Sequence, residues 1–173
     1  MAWSDYVREI PDFPEPGVLF RDVLPVIAEP GAFLEVLDGL QTLVQPLGAE
    51  VIMAPEARGF LLAAPLADRL RAGVVAVRKP GKLPDPVFKE QYTLEYGENQ
   101  LEVEATERLR GRRVVIVDDV LATGGTVRAC ARLAAKLHAD VVGFAFLIEL
   151  QALLGTKQLT EYHQVPIVSL MTV

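Results

Sequence analysis

With 173 residues and a mass of 18.9 kDa, the chain is long enough to close one domain with a real core. Its net charge of −6 and pI near 5.0 argue against a nucleic-acid-binding role, which needs a broad basic surface. One cysteine, Cys130, excludes an internal disulfide or a cysteine zinc site, and the two histidines lack His-x-x-x-His spacing. The longest apolar run, residues 141–148, is too short to cross a bilayer. Residues 1–10 carry Asp5, Arg8 and Glu9 and no apolar leader core, so a cytoplasmic protein without membrane attachment is expected.

A short polar helix is predicted near residues 2–9, then a Pro/Gly-rich surface loop over 11–17. Residues 30–43 suggest an amphipathic helix, with Phe33, Leu34, Leu37, Leu40 and Val44 at helical spacing. Strands and helices then alternate: strand 50–54, helix 59–70, strand 74–78, strand 112–117, helix 126–137, strand 141–148 and strand 167–171. On the 126–137 helix, Val127, Cys130, Ala134 and Leu137 should face inward and Arg128, Arg132 and Lys136 outward. The β-branched run 112–117 reads as a central strand covered on both faces. The expected class is α/β, a parallel central sheet flanked by helices with right-handed crossovers. Residues 92–96 and 100–106 alternate apolar and polar around Gly97-Glu98-Asn99, which reads as a hairpin. The excursion over about 80–108 is long enough to serve as a lid on a single domain spanning 1–173.

The strongest local signal is Val117-Asp118-Asp119-Val120-Leu121-Ala122-Thr123-Gly124-Gly125-Thr126. A buried strand ends in two carboxylates, and a turn of small residues then opens a helix. Ligands of open parallel sheets sit beyond the carboxyl ends of the strands. Gly124 and Gly125 lack a Cβ, so backbone N–H groups can close around an anion, with hydroxyls from Thr123 and Thr126 and the positive end of the helix dipole beside them. Asp118 and Asp119 would repel a bare anion but suit the vicinal hydroxyls of a ribose. A Walker loop is excluded because no Lys follows the glycine pair, and no G-x-G-x-x-G occurs. Arg78, Lys79, Lys82 and Lys89, with Arg58 in the preceding unit, gather cations against the acidic balance, as a polyanion site requires. Read alone, the same run would also serve as a solvated loop.

The segment from Asp118 to Thr126 resembles the phosphoribosyl-pyrophosphate (PRPP) motif of type I phosphoribosyltransferases. Four more segments narrow the resemblance to the adenine-specific branch: Phe13-Pro14 through Pro16-Gly17-Val18-Leu19-Phe20-Arg21-Asp22; Glu56-Ala57-Arg58-Gly59-Phe60; Arg78-Lys79-Pro80-Gly81-Lys82-Leu83-Pro84; and Tyr92 with Leu94-Glu95-Tyr96-Gly97. They run in family order over residues 11–155, while 156–173 match weakly and bear little on chemistry.

The resemblance implies purine salvage, AMP and pyrophosphate being formed from adenine and PRPP. It implies that Asp118 and Asp119 hold the ribose, with Ala122, Thr123, Gly124, Gly125 and Thr126 on its phosphate. Glu56, Ala57, Arg58, Arg78 and Lys82 take the pyrophosphate, Glu56 and Ala57 through their backbone. Glu95 is the loop acid that assists proton movement on the base. Leu19, Phe20 and Arg21 read adenine, with Phe20 stacking and the Arg21 backbone meeting N1 and N6, while Leu121 covers the opposite ring face; composition alone would make Phe20 a core aromatic. Mg²⁺ is expected to travel with PRPP rather than on protein ligands. A homodimer is implied, the Lys82 loop reaching the neighbouring site. A xanthine-type relative and a non-catalytic PRPP-sensing regulator are the competing readings. Glu149, where a 6-oxopurine enzyme would want a cation, speaks against guanine and hypoxanthine, and retained Arg58, Lys82 and Glu95 speak against the regulator.

Overall fold

The structure, a computed structural model, describes residues 1–94 and 97–173. The chain divides into two units, Met1–Gly39 and Leu40–Val173. In the first, Trp3–Tyr6 make a 3₁₀ turn, and β1 (Arg8–Pro11) pairs antiparallel with β2 (Leu19–Asp22). Residues 2–9 are thus not one helix, because Arg8 and Glu9 are claimed by a ladder opposite Asp22 and Arg21. The Pro/Gly stretch is the connection between these strands, closed by the Gly17 N–H donating to the Asp12 carboxylate at 2.7 Å. Helices α1 (Leu24–Ala28) and α2 (Pro30–Val44) follow. Val36, Leu37, Leu40 and Val44 are buried along α2, but Leu34 is 54% exposed, since it falls outside the roughly 100° apolar stripe of the helix.

The second unit alternates as the sequence pattern predicts: β3 (Val51–Pro55), α3 (Arg58–Leu70) and β4 (Gly73–Val77), then the hairpin β5 (Val87–Leu94) and β6 (Gly97–Glu104), then β7 (Arg113–Leu121), α4 (Gly125–Lys136), β8 (Asp140–Glu149), α5 (Gly155–Tyr162) and β9 (Ile167–Thr172). Strands β4-β3-β7-β8-β9 form one parallel sheet in that order. The central strands are aliphatic because both their faces are covered: all of β3 is buried, as are Val114 to Val117 of β7. Met53, Ile116, Leu133, Phe144 and Phe146 lie in the core between sheet and helices, with Cys130 fully buried among them.

The order along the sheet reverses between β3 and β7, since β3 leads outward to β4 and β7 leads the other way to β8. Ligand crevices of open α/β sheets form at such a switch point. The ladder between β3 and β7 stops at Met53–Ile116, while that between β7 and β8 continues to Leu121–Glu149. Strand β7 therefore does not end at Val117 as predicted; its pairing with β8 carries both aspartates past the end of the β3 ladder and opens the crevice.

The predicted hairpin is present with longer arms, but Gly97, Glu98 and Asn99 lie in β6, opposite Leu94, Thr93 and Tyr92, rather than in the turn. Glu95 and Tyr96, to which the sequence assigns the loop acid and a lid contact, lie outside the described residues. A reciprocal backbone bridge between Arg78 and Glu102 joins the hairpin to the segment after β4. Helix α5 carries no predicted counterpart, being short with Leu159 as its one buried aliphatic side chain. No helix of the described residues is long and apolar enough to cross a membrane.

Candidate active site

At the carboxyl end of β7 the chain leaves Leu121 through Ala122 and Thr123 and enters α4 at Gly125. Gly124 makes this possible: it sits at φ +84°, a left-handed conformation that side chains resist, and caps the helix. Its carbonyl accepts the Arg128 N–H at 3.0 Å, so the amides ahead of Arg128 have no intrahelical acceptor and face a pocket of about 110 Å³ lined by Val120 to Val127. Amides at a helix start with the positive dipole end behind them suit a phosphate dianion.

A larger cavity of about 380 Å³ adjoins it, sharing Asp118 and Thr126 and lined further by Glu56, Ala57, Arg58, Lys79, Tyr92, Leu101 and Asp119. Asp118 accepts the backbone N–H of Asp119 at 2.9 Å, and Arg58, first residue of α3, places its Nε 2.5 Å from Asp119 Oδ2. Burial, and after it the neighbouring Asp119, push the Asp118 carboxyl well above its ordinary range. Sugar hydroxyls donating to Asp118 would offset that cost of burial. Gly59 lets α3 approach this pair, for a Cβ there would stand 3.1 Å from Asp118 Oδ1 and 3.2 Å from the Val117 carbonyl.

The cations at the far end are engaged by one carboxylate. Glu56, at the end of β3, accepts from Arg78 Nε at 2.8 Å and Lys82 Nζ at 2.9 Å. Burial works to raise its pKa, but Lys82 and Arg78 outweigh that and hold it below the ordinary value. An incoming polyanion would exchange with Glu56 for these cations. The buried Glu102 of β6 accepts the Gly81 N–H at 3.1 Å, anchoring the same loop to the hairpin. On the hairpin, Glu90 is clamped by Arg132 at 3.1 Å and Lys136 at 2.8 Å from α4, and Lys136 also donates to the Lys89 carbonyl. The outward face of α4 is therefore bridged to β5, although Arg132 and Lys136 themselves stay exposed. Tyr92 reaches the cavity wall and shares a hydrogen bond with Thr126; burial is the main reason its phenol is pushed up.

This arrangement can hold an anion, a polyol and a second, multiply charged anion in line. The sequence matches the family described as phosphoribosyl transferase domain over residues 41–164. An adenine phosphoribosyltransferase of Gloeobacter violaceus is 50% identical over 161 residues, covering 93% of this chain and 94% of that relative. A crystal structure of adenine phosphoribosyltransferase from Thermoanaerobacter pseudethanolicus superposes with a TM-score of 0.93 at 46% identity, over 98% of this chain and 97% of that one. The enzyme from Saccharomyces cerevisiae, solved with an imino-altritol bisphosphate and adenine, superposes with a TM-score of 0.89 at 34% identity, over 96% and 95%. The chain belongs to the adenine phosphoribosyltransferase family.

Against that family pattern, the second unit brings together Glu56, Ala57, Arg58, Asp118, Asp119 and the turn from Ala122 to Thr126 around adjoining cavities, with Arg78 and Lys82 held on Glu56. Lys79 lines the cavity although the sequence singled out its neighbours, whereas Lys89 lies apart from it, 3.5 Å from Glu102. Leu121 is buried at the end of β7. In the first unit, Leu19 is exposed and Phe20 half-buried, edge-on to Phe13 with centroids 5.1 Å apart, so Phe20 is no core aromatic. The Arg21 guanidinium is paired with Glu9 at 2.6 Å. Sequence reasoning gave Tyr92 no site role and missed Leu101, Glu90 and Glu102. Their period-2 placement on the two arms was visible, but which face meets α4 depends on register.

Proposed function

We propose that this adenine phosphoribosyltransferase family member forms AMP and pyrophosphate from adenine and PRPP, with the ribose phosphate seated between the Ala122–Thr126 turn and the paired aspartates. One observation carries the reading: the phosphate pocket and the Glu56-Arg58-Arg78-Lys82 cluster flank Asp118 and Asp119, matching the order phosphate, ribose, pyrophosphate along PRPP. The yeast relative's structure with adenine supports the choice of base.

Cleavage at the anomeric carbon breaks its bond to pyrophosphate oxygen, and adenine N9 forms the new bond while the base gives up one proton. Asp118 and Asp119 accept from the ribose hydroxyls and lie near the positive charge that grows on the ring. Arg58, Arg78 and Lys82 leave their carboxylates to hold the leaving group, beside backbone groups of Glu56 and Ala57. The hairpin keeps water from a sugar that would otherwise hydrolyse. Glu95 is assigned the proton on the base, and Leu19, Phe20, the Arg21 backbone and Leu121 its recognition. Mg²⁺ carried by PRPP would supply positive charge to the pyrophosphate, and the carboxylates of Asp118 and Asp119 are the hard oxygen donors in the cavity that suit such a cation. A cytoplasmic homodimer belongs to the same reading, with the Lys82 loop reaching the neighbouring site; the half-exposure of Lys82 on its own chain's Glu56 supports such an exchange of partners.

The decisive experiment is AMP formation from adenine and PRPP with magnesium, beside hypoxanthine, guanine and xanthine. Adenine alone should be converted; conversion of another purine with adenine inert would overturn the reading. Glu95→Gln should lower kcat more than PRPP affinity, and an unchanged kcat removes Glu95 from the mechanism.

A further inference from the structure

Helix α5 lies against the back of the phosphate turn, and the contact is made by backbone. The Cβ that Gly155 lacks would run into the Ala122 carbonyl oxygen and stand 2.8 Å from Leu121 Cγ and Cδ1. From the other side, a Cβ on Gly124 would stand 3.4 Å from both the Gly155 carbonyl oxygen and Leu159 Cγ. The two glycines therefore face each other, one in the turn and one at the helix start. No flexible side chain could yield at Ala122, because the obstacle there is main chain.

Three ties hold α5 in this place. The Thr156 hydroxyl donates to Glu149 at 2.6 Å, and Glu149 is the β8 residue in register with Leu121. Leu159 is fully buried beneath the helix. At the far end, the Arg128 guanidinium of α4 stands 4.9 Å over the Tyr162 ring. Leu154 accepts a left-handed backbone, φ +57°, to deliver Gly155 into contact. The ties end on or beside the turn: on Glu149, the strand partner of Leu121 before it, against Gly124 within it, and on Arg128 after it.

We propose that Gly155 is a positioning residue for the ribose 5-phosphate, and that α5 is the brace that sets where the Ala122–Thr126 amides stand. The inference rests on the reading of that turn as the phosphate site. It assigns a task to the C-terminal segment, whose sequence carries no chemistry of its own. The turn's glycines leave it few side-chain contacts to define its shape, so the shape is imposed from behind. A methyl group at position 155 pushes the turn back by about an ångström, a displacement that costs about 10²-fold in catalysis when it falls on a positioned substrate.

The test compares Gly155→Ala with wild type for ribose 5-phosphate binding, pyrophosphate binding, and KM for PRPP and adenine. The expected result is a fall of about 10²-fold in ribose 5-phosphate affinity, with pyrophosphate affinity and the KM for adenine unchanged. A folded variant in which all of these weaken together overturns the proposal, as does a folded variant that binds ribose 5-phosphate like wild type. Failure of wild type itself to bind ribose 5-phosphate would instead sink the phosphate-site reading. Should Gly155→Ala not fold, Tyr162→Leu decides, since Tyr162 is exposed: loosening its cation–π contact should raise the KM for PRPP about 2–5-fold with kcat unchanged, and an unaltered KM refutes the brace. Gly31→Ala, with open space at its Cβ on α2, is the control and should leave all values in place.

Discussion

Replacing Glu56 with Gln asks whether an internal anion holds the site's cations before substrate arrives. The Glu56 side chain is only 6% exposed and takes both Arg78 and Lys82. Buried hydrogen bonds to charged groups are worth about 1.5–3 kcal/mol each. Arg78 and Lys82 are 35% and 49% exposed, so screening reduces the pair to about 1–2 kcal/mol in sum. For a chain of this size that loss lowers Tm by about 2–8 °C. The same change frees two cations and removes a negative charge from the cavity wall. Pyrophosphate should then bind about tenfold tighter, ~1.4 kcal/mol, and inhibit AMP formation correspondingly more. The pH dependence has a definite sign. Because Glu56 is held below its ordinary value of 4.5, its contribution is complete above that pH and is lost as the pH falls through the lower folded value. The Tm difference between wild type and variant should therefore be full at neutral pH and close in acid. Thermal melts across that range, with pyrophosphate inhibition at neutral pH, make the assay. Equal Tm and equal inhibition in the two proteins would refute the reasoning.

Four other outcomes are expected. Asp118→Asn with Asp119→Asn should abolish transfer and keep the fold; Asp118→Asn alone should raise Tm at neutral pH, a gain that vanishes as the pH falls below the ordinary carboxylate value of 3.8, because the burial that raises this carboxyl costs stability only when it is charged. Melts that show no gain would remove the burden assigned to Asp118. Glu90→Gln should release the hairpin from Arg132 and Lys136 and speed limited proteolysis within residues 80–108, and digestion at the wild-type rate would contradict the clamp. Gly143→Ala puts a Cβ 2.6 Å from Leu47 Cδ1 and 3.2 Å from the Pro166 carbonyl, so it should cost about 1–3 kcal/mol in a denaturant melt while kcat stays put; an unchanged midpoint would show that Leu47 yields freely.

The local pattern determined much of this protein. The β-branched run around Val115 and the apolar run around Phe146 could only be covered central strands, and the small residues between Asp119 and Thr126 could only be a turn that exposes amides, because apolar patterning and a missing Cβ are properties of the residues themselves. The cations near Arg78 and the paired aspartates were legible for the same reason, since charge is read directly. Only the tertiary structure decided who answers them: Glu56 holding Arg78 and Lys82, Glu90 turning the outer face of α4 into an interface, and Gly155 backing the phosphate turn. These contacts join residues 22 to 46 positions apart in the chain, and no local period encodes them. They follow from sheet order and strand register, which are settled when the whole core closes and not before.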